Sequence, residues 1–359
     1  MVLALAALVL GAAATGAAPA RWCRAPTPSS WRRTLARSVV SLSRRASLFP
    51  IAGAGDGRRF FAELWSPAFS GVVRVDARTS RVTRIRRFPN AHDDQADGTF
   101  GGRWFVWNEY HSLQGFDDFT TFAWDSRSGR VRQIGAAKPD PSGGFWPTGW
   151  RQPDLRGGFA AWSQGTGPDG ETEVHVYDLA AGVDRVVRKG HAQGPFFVAG
   201  PKVVWPESPA PGEWTRMRAA DPRTGAPVAP PPALAGLRGI SALFTDGHAL
   251  AYPSAKFRSL WWAPSLSAKP VRVFKPAGMN VVDNGVRIAG RYLVFTAATR
   301  GYLADTHMRR DFAFDAYPVA IDRRALIVVA YSKRKTLHPK SAVMFVPVRS
   351  LPRLPRCAG

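Results

Sequence analysis

A short apolar strand ending on an aromatic residue recurs seven times along this chain of 359 residues. The strongest copies are Phe61-Ala-Glu-Leu-Trp65, Trp104-Phe-Val-Trp107, Phe159-Ala-Ala-Trp162 and Val203-Val-Trp205. Weaker ones are Ala249-Leu-Ala-Tyr252, Tyr292-Leu-Val-Phe295 and Ile327-Val-Val-Ala-Tyr331. Successive aromatics stand 42, 55, 43, 47, 43 and 36 residues apart. That is the period of a four-stranded propeller blade. One such sheet cannot bury both faces, whereas a ring of them buries each face against a neighbour.

A second marker fixes the phase. After most of the aromatics an alternating strand runs into a turn, as in Val72-Val-Arg-Val-Asp76, Thr121-Phe-Ala-Trp-Asp125, Val174-His-Val-Tyr-Asp178 and Met217-Arg-Ala-Ala-Asp221. The Asp accepts hydrogen bonds from turn N–H groups, and Gly129, Gly182 and Gly225 supply the positive φ that closes the turn. Later copies decay to Ala263-Pro-Ser-Leu-Ser and Pro347-Val-Arg-Ser. Alternation with period two marks half-buried strands. The expected fold is all-β: a seven-bladed β-propeller of four-stranded antiparallel blades, with the N- and C-termini joined at the closing blade.

Val174-His-Val-Tyr-Asp178-Leu-Ala-Ala-Gly182 resembles the turn of periplasmic, WD40-like propeller repeats of the TolB type. The resemblance covers about residues 46–350. It implies a fold and not a function, since such propellers host binding, scaffolding and catalysis alike. TolB-type proteins carry a separate N-terminal domain, for which residues 21–45 are too few.

Residues 1–20 carry no charge and end in Ala18-Pro19-Ala20, as a secretory signal peptide does before its cut. The only cysteines, Cys23 and Cys357, are then expected to form a disulfide that ties the chain ends together. Residues 21–45 form a basic segment, either helix or closing strand. Trp31, Leu35, Val39 and Leu42 fall on one helical face, Ser30 stands as a cap, and the arginines lie off that face. Such a helix either packs on the propeller or lies on an anionic membrane. Residues 46–359 make the propeller.

The net charge is +23, with 40 arginines. It implies attraction to polyanions or a soluble, Arg-rich surface. The arginines are scattered, and the densest basic stretches are Arg32–Arg45 and Lys333–Lys340.

Chemistry has few places to reside. Asn90-Ala-His92-Asp93-Asp94-Gln95-Ala-Asp97 crowds ligand-type side chains, with Asp117-Asp118, Glu109 and His111 in the same blade. Asp93, Asp94 and Asp97 are candidates for calcium, or for an acid–base pair, or are turn formers paired with arginines. The spacing matches no known metal loop, and no other cofactor is called for. No His-Glu-x-x-His, Gly-x-Ser-x-Gly or phosphate loop occurs. Trp146 and Trp150 lie in a Gly-rich insertion between the second and third blades, a stacking platform for sugars or an inner strand. With His92, Asp93 and Asp94 they are the ligand-binding candidates. The function expected is a secreted, monomeric, non-catalytic binding module. Its partner would be a protein, a carbohydrate or an anionic wall polymer, with peripheral membrane contact and no specific nucleic acid. The rivals are a hydrolase or lyase using carboxylates near the central channel, and an envelope scaffold.

Overall fold

The computed structural model describes residues 22–42, 46–90, 93–112, 116–148, 152–192, 194–198, 202–208, 216–237, 243–254, 259–274, 285–297, 300–331 and 341–355. The segment 1–20 and residues His92, Trp150 and Cys357 lie outside them.

Seven sheets form a ring. Blade 1 comprises Ser47–Gly53, Arg59–Ser66, Phe69–Asp76 and Val82–Arg87; blade 2 comprises Gln95–Gly101, Trp104–Tyr110, Phe119–Asp125 and Val131–Ala136. Blade 3 runs from Asp154–Arg156 to Val183–Gly190, blade 4 from Phe196–Val198 to Pro227–Val228, and blade 5 from Phe244–Thr245 to Val271–Phe274. Blade 6 contains Arg287–Ala289, Tyr292–Ala297, Arg300–Asp305 and Arg310–Phe314. Blade 7 has three regular strands, Tyr317–Ile321, Ala325–Tyr331 and Ser341–Pro347. In each blade the first strand is innermost and touches the first strands of both neighbouring blades. These strands surround the axis.

Every repeated aromatic sits on the second strand of its blade. Trp65, Trp107, Trp162, Trp205 and Phe295 are buried. They belong to apolar clusters that each fill the seam between two adjoining blades, seven clusters for seven seams. Between blades 1 and 2, Phe61 stacks on Phe105 at 4.0 Å and Phe105 on Trp107 at 5.0 Å. A flat aromatic fits a wedge that narrows toward the axis, and each ring buries a large apolar area.

The turn aspartates behave as the sequence requires. Asp178 Oδ1 accepts the N–H groups of Ala180 and Ala181, both at 2.9 Å, and Gly182 follows at φ +73°. Asp76 and Asp221 repeat the pattern with two N–H groups each, and Asp125 with one. A further copy was missed in the sequence: Asp305 Oδ1 accepts His307 N–H and Met308 N–H. Arg309, at φ +51°, occupies the glycine's conformation there, which hides the motif.

The N-terminal segment supplies both a helix and a closing strand. The helix is Ser29–Arg37, and Pro28, not Ser30, stands at its N-cap without a side-chain cap. Trp31 is packed edge-on against Phe312 and Phe314. The helix stops before Val39, which bridges Met344 antiparallel. Val40 N–H donates to Val343 O at 2.8 Å, and Phe345 N–H to Ser38 O at 2.9 Å. An early segment therefore completes blade 7 beside the last strand. Cys23–Arg24 adds a parallel fifth strand to the outer edge of blade 6.

Candidate functional site

The innermost strands enclose a cavity of about 280 Å³ on the axis. Asp97 and Thr99 enter it from blade 2, Gln152 and Asp154 from the approach to and start of blade 3, Phe196 from blade 4, Thr245 from blade 5 and Arg287 from blade 6. Strand alternation sets this selection, since residues two apart share the inward side. Arg287 donates from Nη2 to Gln152 Oε1 at 3.3 Å and from Nη1 to Val286 O at 2.9 Å. Gln152 Nε2 donates to Gly98 O in blade 2. Asp154 Oδ2 accepts the N–H of Phe197 at 2.6 Å, so it is engaged by the next blade.

The electrostatics follow from burial. Desolvation raises the Asp97 carboxyl to about 6, against the lowering effect of Arg287 and of the Gly98 N–H. The same desolvation lowers the Arg287 guanidinium from its ordinary value, opposed by Asp97. Behind the cavity wall, Glu63 Oε1 accepts Ala96 N–H at 2.5 Å and Oε2 accepts Trp65 Nε1–H at 3.0 Å. Burial raises Glu63 to about 7 despite those bonds, and Asp97 adds to the rise.

At the face carrying the first-to-second-strand hairpins, the channel is crossed. Arg156 Nη2 of blade 3 donates to Asp246 O of blade 5 at 2.7 Å, and Asp246 Oδ2 accepts Gly290 N–H of blade 6 at 3.0 Å. The guanidinium lies where a Cβ on Gly247 would stand, 1.7 Å from it, so only glycine admits the crossing.

The acidic loop divides in two. Asp94 is buried, with Oδ2 accepting Asn90 N–H at 2.9 Å and Oδ1 facing His111 Nδ1 at 3.1 Å. Asp93 accepts from Asn90 Nδ2 at 2.8 Å. Asp94 thus anchors the link from blade 1 to blade 2, Asp93 makes an exposed contact within that link, and Asp97 faces the axis. Asp117 accepts Thr148 N–H at 2.7 Å and so pins the insertion between blades 2 and 3. Trp146 is half-buried in that insertion. Among the described residues no three His, Cys, Asp or Glu side chains are grouped to hold a metal ion. Sequence reasoning found Asp97 but missed Arg287 and Gln152, which no local motif marks.

No family model matches the chain, and no curated protein matches it. Solved structures do match. An oligogalacturonate lyase in complex with manganese shares 11% identity over 85% of this chain and 91% of its own, with a TM-score of 0.54. The Cps50 (Swd1) β-propeller domain of Myceliophteria thermophila shares 14% over 85% and 97%, with a TM-score of 0.51. A prolyl endopeptidase shares 14% over 88% of this chain, with a TM-score of 0.54, and the chain spans only 48% of that protein. At these identities the likeness is one of fold. The WD40-like resemblance of the repeats holds at that level.

Proposed function

We propose that this chain is a secreted propeller that binds a carbohydrate-like group in its axial cavity, with the surrounding loops docking the rest of a wall polymer, glycan or protein. The observation that carries the reading is the convergence of Arg287, Gln152 and Asp97 on one cavity from three separate stretches of chain. Guanidinium and amide supply donors, and the carboxylate and amide oxygens supply acceptors. Phe196, Phe244 and three prolines supply apolar walls. Few convergent polar groups in an apolar concavity make a binding site. The test is a melting-temperature screen of the purified protein against neutral sugars, sugar acids and wall polymers. At least one should raise the melting temperature of the wild type and leave Arg287→Gln unmoved. Equal shifts in both proteins would remove the cavity from the reading.

A second reading, a hydrolase or lyase, is favoured by one observation: a cavity-facing carboxyl raised to about 6 can both give and take a proton near neutral pH. A bound glycan incubated with the protein would then gain reducing or unsaturated ends. Asp97→Asn would bind it and leave it intact. Absence of new ends with wild type returns the function to binding alone.

Secretion brings with it the Cys23–Cys357 bridge. The support lies in the neighbouring chain: Cys23 is paired with Arg310, whose Nη1 donates to Pro355 O at 3.1 Å. The C-terminal tail is thus held beside the strand that carries Cys23.

A further inference from the structure

The topology concentrates charge that is dispersed along the sequence. There is no Asp or Glu before Asp56 or after Asp322, yet these two stretches hold 16 of the 49 Lys and Arg residues. They supply +16 of the net +23. The described parts of the two stretches meet at blade 7, whose outer edge is closed by residues 38–40 against Ser341–Pro347.

The helix Ser29–Arg37 and the tail after blade 7 pack into one unit. Trp31 shares an apolar cluster with Met344, Leu351 and Leu354, and Leu35 packs against it. With those side chains turned inward, Arg32, Arg33 and Arg37 of the helix and Arg349 and Arg353 of the tail are exposed. None of these five side chains makes an ion pair or hydrogen bond among the described residues. Other arginines differ: Arg86 and Arg188 are spent on glutamates, and Arg24 on Asp311.

We infer that this helix–tail sector of blades 6 and 7 is a docking surface for a linear polyanion bearing phosphate or carboxylate groups along its length. Guanidinium forks match such oxyanions and hold their charge at every relevant pH. Arg33 and Arg37 stand four residues apart on one face of the helix, about 6 Å along the axis. They offer a row of charges where no carboxylate of either segment competes. A bilayer is the poorer partner. An interfacial helix must bury an apolar face in lipid, and this helix has spent its own on the propeller, with Trp31 only 1% exposed. The surface is separate from the axial cavity and does not depend on it.

The experiment compares three proteins by fluorescence anisotropy with labelled polygalacturonate and labelled long-chain polyphosphate. One is the wild type. The second carries Gln at Arg32, Arg33, Arg37, Arg349 and Arg353. The third carries Gln at five exposed arginines elsewhere on the ring, Arg78, Arg81, Arg127, Arg130 and Arg216, and so has the same net charge. The wild type should bind at least one polymer with an affinity that falls steeply with salt. The helix–tail variant should lose about tenfold or more and show a flatter salt dependence, while the charge-matched variant stays within about twofold of wild type. Equal losses in both variants would mean that net charge alone acts, and would overturn the inference. So would failure of the wild type to bind either polymer, or binding only to phosphatidylglycerol vesicles. Circular dichroism of all three proteins checks that the exposed substitutions leave the fold intact.

Discussion

Among single residues, Glu63 carries a cost that pH should expose. It is a buried carboxyl that joins blade 1 to the inner strand of blade 2, and its folded pKa of about 7 exceeds the ordinary 4.5. Between those two values the folded chain binds the proton more than the unfolded chain does. Stability therefore falls as pH rises from 4.5 to about 7, and the penalty is complete above that. At about 1.4 kcal/mol per pKa unit the full penalty is of order 3 kcal/mol. Glu63→Gln removes the ionisation and keeps an acceptor for Ala96 N–H. Urea denaturation should find the stability of the variant relative to wild type rising by about 3 kcal/mol between pH 4.5 and pH 8. A difference that does not change with pH would show that Glu63 ionises freely in the fold. Asp97, raised to about 6, works in the same sense, and its ionised form should face the cavity only above that pH.

At the scale of elements, the third-to-fourth-strand hairpin shows how one local rule is written with variations in blades 1, 2, 3, 4 and 6. Gly129, Gly182 and Gly225 take φ near +70° to +77°, whereas Ser80 holds φ +57° in the first blade. A side chain in that region costs about 1–2 kcal/mol. Ser80→Gly should therefore stabilise the protein by about 1 kcal/mol, and Gly182→Ala should destabilise it by a similar amount, as read from chemical denaturation. No gain from Ser80→Gly would mean that the serine hydroxyl repays the strain. The same hairpins explain what was legible. Strand-ending aromatics and Asp–Gly turns are consequences of a wedge and a tight reversal, so they recur in sequence and reveal the blades. Asp305 escaped because Arg309 bears the positive φ without a glycine to advertise it. The closing strand is only an Ser38–Val40 contact at the end of a helical pattern, too short to register as alternation. The axial site was the least visible part. Arg287 and Gln152 meet across 135 positions, and only closure of the ring brings them together.

At the scale of the molecule, a ring is only as stable as its last seam. That seam rests on apolar packing, with Phe60 of blade 1 stacked 5.9 Å from Phe345 of blade 7. It rests also on the two backbone hydrogen bonds between residues 38–40 and 343–345. Neither is covalent, and peeling of the N-terminal segment would open blade 7 to solvent on its outer edge. A Cys23–Cys357 bridge would act on that step. Cys23 N–H donates to Arg309 O at 3.2 Å, Ala25 N–H to Asp311 O at 2.7 Å, and Arg310 holds Pro355 O, so the strand of Cys23 and the tail up to Pro355 lie along the edge of blade 6. Cross-linking them would deny the unfolded chain its free ends, a stabilisation of about 2–4 kcal/mol. For a domain of this size that corresponds to a fall of roughly 3–6 °C in melting temperature on reduction or in Cys23→Ala. Native alkylation without reductant should leave both cysteines unmodified, and tryptic digestion should release their peptides as one joined species that reductant separates. If both thiols are alkylated directly, or if reduction leaves the melting temperature unchanged, closure depends on blade 7 alone. Peeling of the helix would then precede unfolding of the ring, and the basic sector that it carries would be the first surface lost.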